Sequence, residues 1–366
     1  MIRIVGTDRE FAELEPEWRR LETEAGSFFF SGFDYVHTAW TSFKRPSDRL
    51  LVLVSRRGND AEWIAPFFVA RKTRWGIPCR EIRFIAEWEG DRPGILTKVP
   101  PEEAWRGIVD FLVNEVGGWD ALTLAEQPAA PVEGRRRWVA GHPSCRWEET
   151  PDGTGYHISL RGTYDAYFDG IRSKVKANLR NRTKRLYSRS PDVSVECVED
   201  PGRMPESLSR FVALEQSGWK KEAGLGVAKD ERHRRFYERL LVLLAGKGNA
   251  GMYFLKAGGE DVSTAMIFRH RGILIERHIA YSPAYSEYTP GVILRCMMLQ
   301  GLFGGKYEEF DMLGMREDES GPRHKTDWAT GRRETVRIEG YRTRSRLLPW
   351  ILARDAKRLL KRDGKD

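Results

Sequence analysis

The chain has 366 residues, of which 40% are hydrophobic and 11% aromatic. That length suits about two domains at roughly 150 residues each, and the apolar content excludes a disordered chain and a single small module. Basic residues outnumber acidic ones by 61 to 53, which favours an anionic partner. No apolar run is long enough to cross a membrane and the start does not resemble a signal peptide, so we expect a soluble, cytoplasmic protein.

The sequence of the N-terminal half predicts two helices, then three strands, a further helix and a last strand. Apolar periodicity and turn residues predict helices over 8–24 and 34–43, strands over 50–55, 61–72 and 80–86, a helix over 102–116 and a strand over 120–125. Residues 126–155 are rich in proline, glycine and charge, which predicts a linker.

The C-terminal half repeats this order after a basic helix over 171–190. The pattern predicts helices over 206–216 and 230–245, strands over 252–257, 262–270 and 273–281, a helix over 290–303 and a strand over 307–313. Helices, an antiparallel meander, a helix and a strand indicate a mixed α/β (α+β) layered fold. We therefore predict domains over 1–125 and 156–341, and a basic helical tail over 342–366.

The positive charge is concentrated in two segments. Residues 171–190 hold eight basic and no acidic side chains, residues 342–366 hold nine and three, and the rest of the chain holds 44 and 50. In the first segment Leu179 and Leu186 belong to an apolar stripe, so Arg180 and Arg182 must project from other faces of the helix. Such patches suit a cofactor phosphate, RNA or an acidic membrane, although a solvated helix face gives the same pattern.

Several classes of enzyme lack their motifs here. The four cysteines are far apart without a CxxC pair, which argues against a zinc ribbon, a disulfide framework or an iron–sulfur cluster, and we expect no metal in the chemistry. The sequence has no dinucleotide-binding glycine motif after a strand, no Walker-type loop and no G-x-S-x-G elbow.

The start of the helix over 290–303 is a candidate anion site. Thr289 is placed to cap it, Pro290 suits its first position, and Gly291 would let a ligand approach the free amides of the first turn. An ordinary helix start without a ligand fits the same residues.

Candidate catalytic residues precede and follow this helix. Glu276 and His278 alternate on the strand over 273–281, which would point both into one cleft, where either could act as the general base. Tyr281 or Tyr285 could supply a proton, and Asp311 at a strand end could orient an acceptor.

Polar and aromatic residues also follow the helix over 206–216. Glu215, Gln216, Trp219 and Lys220 could line an acceptor pocket, although Trp219 also suits a core position with Lys220 at the surface.

Three segments together carry a family resemblance: IRSKVKANLRNRTKRL (171–186), AYSPAYSEYTPGVILRCMM (280–298) and FDMLGMREDESGPRHKTDWA (310–329). They resemble the acetyltransferase domain of the CelD-type (cellulose biosynthesis) branch of the GNAT superfamily, which is related to the Fem-type and leucyl/phenylalanyl-tRNA transferases. The resemblance covers about residues 155–340. The N-terminal half resembles a degenerate GNAT-like unit only in its order of elements, so the resemblance implies tandem GNAT-like mixed-sheet domains with helices on both faces.

The resemblance implies roles for particular residues. Pro290 and Gly291 would replace the glycine-rich pyrophosphate loop, and Tyr281 and Tyr285 match a Y-x-P-x-Y turn, although Ser282 stands where relatives often have aspartate. The remaining matches are an "FD…G" element at Asp311 and Gly314 and a "K…W" element at Lys325 and Trp328, which follows a longer insert over 316–322.

The implied activity is transfer of an acyl group, in the first place acetyl, from acyl-CoA to a sugar, amino-sugar or amine in polysaccharide or envelope metabolism. The basic helix would then bind CoA phosphates or an anionic acceptor. One alternative is an aminoacyl-tRNA-dependent transferase with both basic segments along the RNA. A second is a non-catalytic protein that contacts an anionic membrane, peripheral to the inner membrane, through residues 344–362; a tail helix docked on its own domain fits that segment equally.

Overall fold

The computed structural model describes residues 1–129, 142–218, 226–315 and 323–363. They form two compact units, the first comprising residues 1–153 and 334–366 and the second residues 154–333. The residues predicted as a linker are in part strands, Ala121–Pro128 and Cys145–Ser159. Their proline, glycine and charge content predicted a loop, but backbone pairing with neighbouring strands outweighs that composition.

The bounds of the predicted elements agree with the structure to within a few residues, apart from the first helix, but several short elements and the strands over 145–159 and 331–342 were not predicted. The helices are α1 (Asp8–Glu13), α2 (Glu15–Ala25), α3 (Phe33–Phe43), α4 (Pro101–Asn114), α5 (Tyr164–Gly170), α6 (Ser173–Arg189), α7 (Met204–Gln216), α8 (Glu231–Ala245), α9 (Pro290–Gln300), α10 (Arg323–Thr326) and α11 (Leu348–Asp363). The strands are β1 (Ile2–Val5), β2 (Arg49–Arg57), β3 (Asp60–Arg74), β4 (Ile77–Phe84), β5 (Leu96–Thr97), β6 (Ala121–Pro128), β7 (Cys145–Ser159), β8 (Ser194–Val198), β9 (Ala250–Ala257), β10 (Glu260–His270), β11 (Ile273–Tyr281), β12 (Glu309–Met315) and β13 (Gly331–Arg342).

The helix predicted over 8–24 is interrupted at Leu14, where α1 ends and α2 begins. Pro16 follows in the first turn of α2. Proline has no amide hydrogen and its ring clashes with the preceding turn, so one helix cannot continue through it. Trp18 and Leu21 of α2 are nevertheless buried in the first unit, as the apolar face predicted.

The first unit is built on a mixed sheet in the order β1-β2-β3-β4-β6-β13. Strand β4 runs parallel to β6 over three residue pairs, and the other neighbours are antiparallel. Helix α4 connects the two parallel strands and buries Trp105, Ile108 and Leu112 against the sheet. This strand–helix–strand connection is the parallel crossover that such a sheet requires.

The second unit repeats that arrangement in the order β7-β12-β11-β10-β9-β8. Strands β9, β10 and β11 form the antiparallel meander, and α9 connects β11 to a parallel neighbour, β12. The core contains Ile293, Leu294 and Leu299 of α9 packed against Leu274 and Ile267 of the sheet. The prediction of two α/β units with mixed sheets is therefore confirmed.

Candidate acyl-transfer site in the second unit

A cavity of about 760 Å³ lies along α9, between it and the helices α5 and α6. Its apolar wall includes Phe168, Leu179 and Met297, while Arg180 and Lys184 lie on the α6 side. We call this cavity the α6–α9 groove. The full lining is Tyr164, Asp165, Phe168, Leu179, Arg180, Thr183, Lys184, Tyr187, Ser188, Ile293, Cys296, Met297 and Gln300.

Helix α6 presents cations to this groove because its apolar stripe faces the core. Leu186 is fully buried, and Val175 and Leu179 pack against the same cluster. Arg180 and Lys184, four residues apart on the helix, then share one side of it. Among the described residues neither has an ion-pair partner, and the Arg180 guanidinium lies 5.5 Å from the Phe168 ring.

Other cations of the basic segment are used to hold the unit together. Arg172 pairs with Asp327, and Arg185 pairs with Glu287 in the loop before α9. Arg189 lies 4.3 Å above the Tyr285 ring, which is buried. The predicted proton donor Tyr285 is therefore covered by a guanidinium instead of facing an open cleft. These contacts fix α6 on the 3-10 turn Pro283–Tyr288.

Thr289 does not cap α9 as predicted. Its backbone is left-handed, with φ 51° and ψ 57°, and its hydroxyl makes no capping hydrogen bond. A cap needs an extended backbone to aim the hydroxyl at the amides of the first turn. Instead the Thr289 hydroxyl accepts a hydrogen bond of 3.3 Å from Arg182, which brings these two residues together; that they bind a cofactor stays a prediction.

Gly291 serves helix packing, which differs from the ligand approach predicted for it. A methyl group on its Cα would lie 3.0 Å from Cγ2 of Ile279 and 3.7 Å from Oγ of Ser263, both on the sheet. Pro290 has no amide hydrogen, and the Val292 and Ile293 amides donate to the Thr289 carbonyl. The Gly291 amide is the one in this turn that is left without a protein acceptor among the described residues.

The electrostatics of the two crossover helices differ. Helix α4 of the first unit begins with Glu102 and Glu103, whereas α9 has no acidic residue in its first turn and lies beside Arg182. Because the start of a helix carries partial positive charge, acids there satisfy it and cations beside it add to it. The second unit is thus the one whose crossover helix can accept an external anion.

Strands β11 and β12 diverge beside this helix. They pair only over Ile273–Ile275 and Glu309–Asp311, while β11 continues to Tyr281. The Glu276 carboxylate, at the start of the divergence, binds the Arg295 guanidinium of α9 through two hydrogen bonds of 2.9 and 2.5 Å. Burial alone would lower the pKa of Arg295, but the Glu276 carboxylate raises it above its usual range.

Glu276 and His278 lie on opposite faces of the sheet, so the prediction that both enter one cleft is wrong. Glu276 pairs with Ile267 and His278 with Met266 across a β-bulge, and these two neighbours point in opposite directions. His278 Nε2 lies 2.7 Å from the hydroxyl of Tyr237 on α8. The extra residue of the bulge breaks the simple alternation on which the prediction rested.

The "FD…G" and "K…W" elements contact each other in the second unit. Asp311 is fully buried and its carboxylate accepts a 2.8 Å hydrogen bond from the Leu313 amide. Leu313 has a φ of 60°, within a second bulge that ends at Gly314. Lys325 donates to the Gly314 carbonyl at 3.1 Å. These residues fix the path of β12 where it leaves β11.

The remaining predicted residues are dispersed. Tyr281 is 38% exposed at the end of β11. Trp328 is buried in the core, and its carbonyl accepts a hydrogen bond from Tyr167. The Glu215 carboxylate accepts from the Val227 amide at 2.6 Å, which anchors the chain before α8. Trp219 and Lys220 lie outside the described residues.

Sequence patterns did not predict Tyr237, Arg295 or Cys296. The first two lie on apolar helix faces, so their spacing indicated core positions. Cys296 lines the groove, but burial raises the pKa of its thiol to about 12. It is therefore protonated at neutral pH and a poor nucleophile.

The part of the chain that contains these features matches a known protein family. Residues 173–326 match the family model described as an acetyltransferase (GNAT) domain. This segment, which is less than half of the chain, is similar to GNAT acetyltransferase domains. It spans α6 to α10 and thus includes the α6 and α9 sides of the groove and the divergence of β11 and β12, and it identifies the protein as an acyltransferase.

Solved structures share the fold of the whole chain. FemX has a TM-score of 0.65 at 10% identity, covering 93% of this chain and 97% of its own. The C-terminal domain of a putative lysylphosphatidylglycerol synthetase from Agrobacterium fabrum has a TM-score of 0.55 at 11% identity, covering 92% of both chains. L-PGS from Bacillus licheniformis has 0.51 at 14% identity, covering 95% of this chain and 96% of its own. No curated protein matches the sequence.

Proposed function

We propose that the second unit transfers an acyl group, acetyl in the simplest case, from its CoA thioester to an amine or hydroxyl of a small-molecule or glycan acceptor. The observation that carries this proposal is the placement of Arg180, Arg182 and Lys184. They line α6 from the α6–α9 groove to the start of α9, and none has an ion-pair partner among the described residues. We infer the acceptor class from the resemblance to the CelD-type branch, and we propose that the GNAT-like domain belongs to that branch.

The charge and shape of the groove suit the nucleotide end of CoA. Phosphates would bind Arg180 and Lys184 at the groove and Arg182 with the Gly291 amide at the start of α9. The aromatic side chains Tyr164 and Phe168, stacked at 5.7 Å, offer an apolar wall for a base. Since this wall and these cations belong to one cavity, a single ligand with both an aromatic ring and phosphates fits it better than an inorganic anion.

The thioester would lie where β11 and β12 diverge. There the edge of β11 beyond Ile275 has lost its β12 partner, so its backbone amides can polarise the thioester carbonyl. Attack by the acceptor forms the new C–N or C–O bond and expels the CoA thiolate, which takes up a proton. His278 is the better candidate base because Tyr237 orients its ring, whereas the Glu276 carboxylate is occupied by Arg295.

A calorimetric titration of the full chain with acetyl-CoA tests this proposal. Lys184→Glu reverses a charge at the groove, and Lys174→Glu makes the same change on an exposed residue of α6 that does not line it. We expect Lys184→Glu to weaken binding by about tenfold or more and Lys174→Glu to change it little. Equal effects, or no binding by the unchanged chain, would contradict the proposal.

The fold shared with FemX supports a second candidate, in which aminoacyl-tRNA is the donor. Both basic segments would then follow the RNA backbone, and affinity would fall steeply with salt because bound phosphates release counterions. A gel shift with aminoacyl-tRNA at two salt concentrations distinguishes the candidates. Salt-sensitive binding of tRNA without binding of acetyl-CoA would favour this second donor.

A further inference from the structure

The C-terminal helix α11 is anchored on the first unit by a few buried side chains. Leu347 and Ile351 are fully buried in a small cluster with Cys79, Ala121 and Tyr341. The first turn of α11 is therefore docked on its own domain, which was one of the two expectations for this tail. Docking through Ile351 leaves the neighbouring positions of the helix free to face outward.

Large apolar side chains are exposed on either side of that anchor. Trp350 is 54% and Leu352 50% exposed, and Trp75, at the turn between β3 and β4, is 46% exposed. The Arg354 guanidinium lies 5.7 Å from the Trp75 ring, and Arg354 is one helical turn after Trp350. The two tryptophans thus flank one arginine. It also forms ion pairs with Glu148 and Asp355. We call Trp75, Trp350 and Leu352 the tryptophan patch.

The chain segment that carries Trp350 and Leu352 is rich in basic residues. Residues 342–366 contain nine basic and three acidic residues. Arg344 and Arg346, just before α11, are exposed, and in the described part of the chain their guanidinium groups form no ion pair. Exposed tryptophans on a segment with this excess of cations match the interface of a bilayer that contains acidic lipids.

We propose that the tryptophan patch is a docking surface for an anionic phospholipid bilayer. The indole rings would enter the interfacial layer while Arg344 and Arg346, on the same segment as Trp350, bind lipid phosphates. Contact would be peripheral, since none of the helices in the described ranges combines the length and apolarity needed to cross a bilayer. The patch belongs to the first unit and uses none of the residues of the α6–α9 groove, so this proposal does not depend on the identity of the acyl donor.

Flotation of the full chain with lipid vesicles tests the docking surface. One set of vesicles contains phosphatidylcholine alone, and the other adds phosphatidylglycerol to about a third of the lipid. Trp75→Ser with Trp350→Ser removes the exposed rings. Val242→Ser with Leu243→Ser on α8 is the matched control, because both residues are 38% exposed and lie in the other unit.

We expect the unchanged chain to float with the phosphatidylglycerol vesicles and not with neutral ones. The double tryptophan variant should float about fivefold less, while the control variant should float as well as the unchanged chain. Thermal unfolding by circular dichroism must be alike for all chains, so that lost flotation reports the surface. Absence of flotation with the phosphatidylglycerol vesicles, or equal flotation of the tryptophan variant and the unchanged chain, would overturn the proposal.

Discussion

Glu276 and Arg295 form an ion pair that is almost entirely removed from water, with side chains 4% and 2% exposed. It joins β11, at the point where that strand leaves β12, to the middle of the crossover helix α9. Burying two charges is costly unless they bind each other with good geometry, as the two parallel hydrogen bonds here do. The pair therefore fixes the orientation of α9 relative to the divergent strands.

Removing one partner of this pair should be strongly destabilising. We predict that Arg295→Met lowers the free energy of unfolding by about 3–5 kcal/mol, because the Glu276 carboxylate is left buried and unpaired. Urea denaturation measures this change. The double variant Glu276→Leu with Arg295→Met should recover most of the loss, and a double variant less stable than Arg295→Met would contradict this account of the pair.

Gly291 should tolerate no added methyl group. Gly291→Ala places a Cβ 3.0 Å from Cγ2 of Ile279, and we predict a loss of about 1–3 kcal/mol in the free energy of unfolding. Gly301→Ala at the other end of α9 is the control, since its nearest neighbour would be 3.7 Å away. In an Ile279→Ala background the cost of Gly291→Ala should shrink. An unchanged cost there would show that the contact with Ile279 is not its cause.

Asp311 should matter for stability more through a hydrogen bond than through its ion pair with Arg333, whose guanidinium lies 3.8 Å away. Its carboxylate accepts from the Leu313 amide, which holds Leu313 in its left-handed conformation. We predict that Asp311→Ala costs about 1–3 kcal/mol, because a buried amide loses its acceptor, whereas Asp311→Asn can keep that bond and costs less. Thermal and urea unfolding of both variants provide the comparison; equal losses would point to the charge instead.

Acid should weaken the second unit partly through Glu196. A hydrogen bond from Arg210 opposes the effect of burial and, with Arg203, lowers the pKa of Glu196 from its usual 4.5 to about 2. Because the folded value lies below the unfolded one, this carboxylate stabilises the fold above about pH 4.5, and its contribution is lost as the pH falls towards 2. Glu196→Gln should therefore flatten the pH dependence of unfolding between those values. A profile parallel to that of the unchanged chain would refute this role.

The sequence predicted the elements whose apolar residues recur with a clear period, but it missed short strands such as β1 and β8 and the longer β13. It also predicted that Arg180 and Arg182 project away from the core, since that depends only on the face of one helix. It failed where a single residue changes the local geometry. The bulge between Met266 and Ile267 places Glu276 and His278 on opposite faces, and the left-handed Thr289 turns its hydroxyl from the helix to Arg182. Neither the residues at the bulge nor a threonine before a proline predicts such a backbone conformation.

Local sequence patterns also could not predict which side chains from distant elements contact each other. The spacing of Tyr237 and Arg295 indicated positions on apolar helix faces. Only the fold shows that Tyr237 contacts His278 and that Arg295 binds Glu276. Most of strand β7 was predicted as part of the linker over 126–155 because that segment is rich in proline, glycine and charge. Its pairing with β12 supplies hydrogen bonds that its composition does not indicate.

Hydrogen exchange of the full chain with and without acetyl-CoA tests most directly whether the donor binds between α6 and α9. We predict slower exchange on adding acetyl-CoA in peptides covering 178–190 and 289–297, and no change over 102–112 in the first unit. The Lys184→Glu variant should lose this slowing at the same concentration of acetyl-CoA. Binding of acetyl-CoA that leaves both peptides of the second unit unchanged would contradict the account.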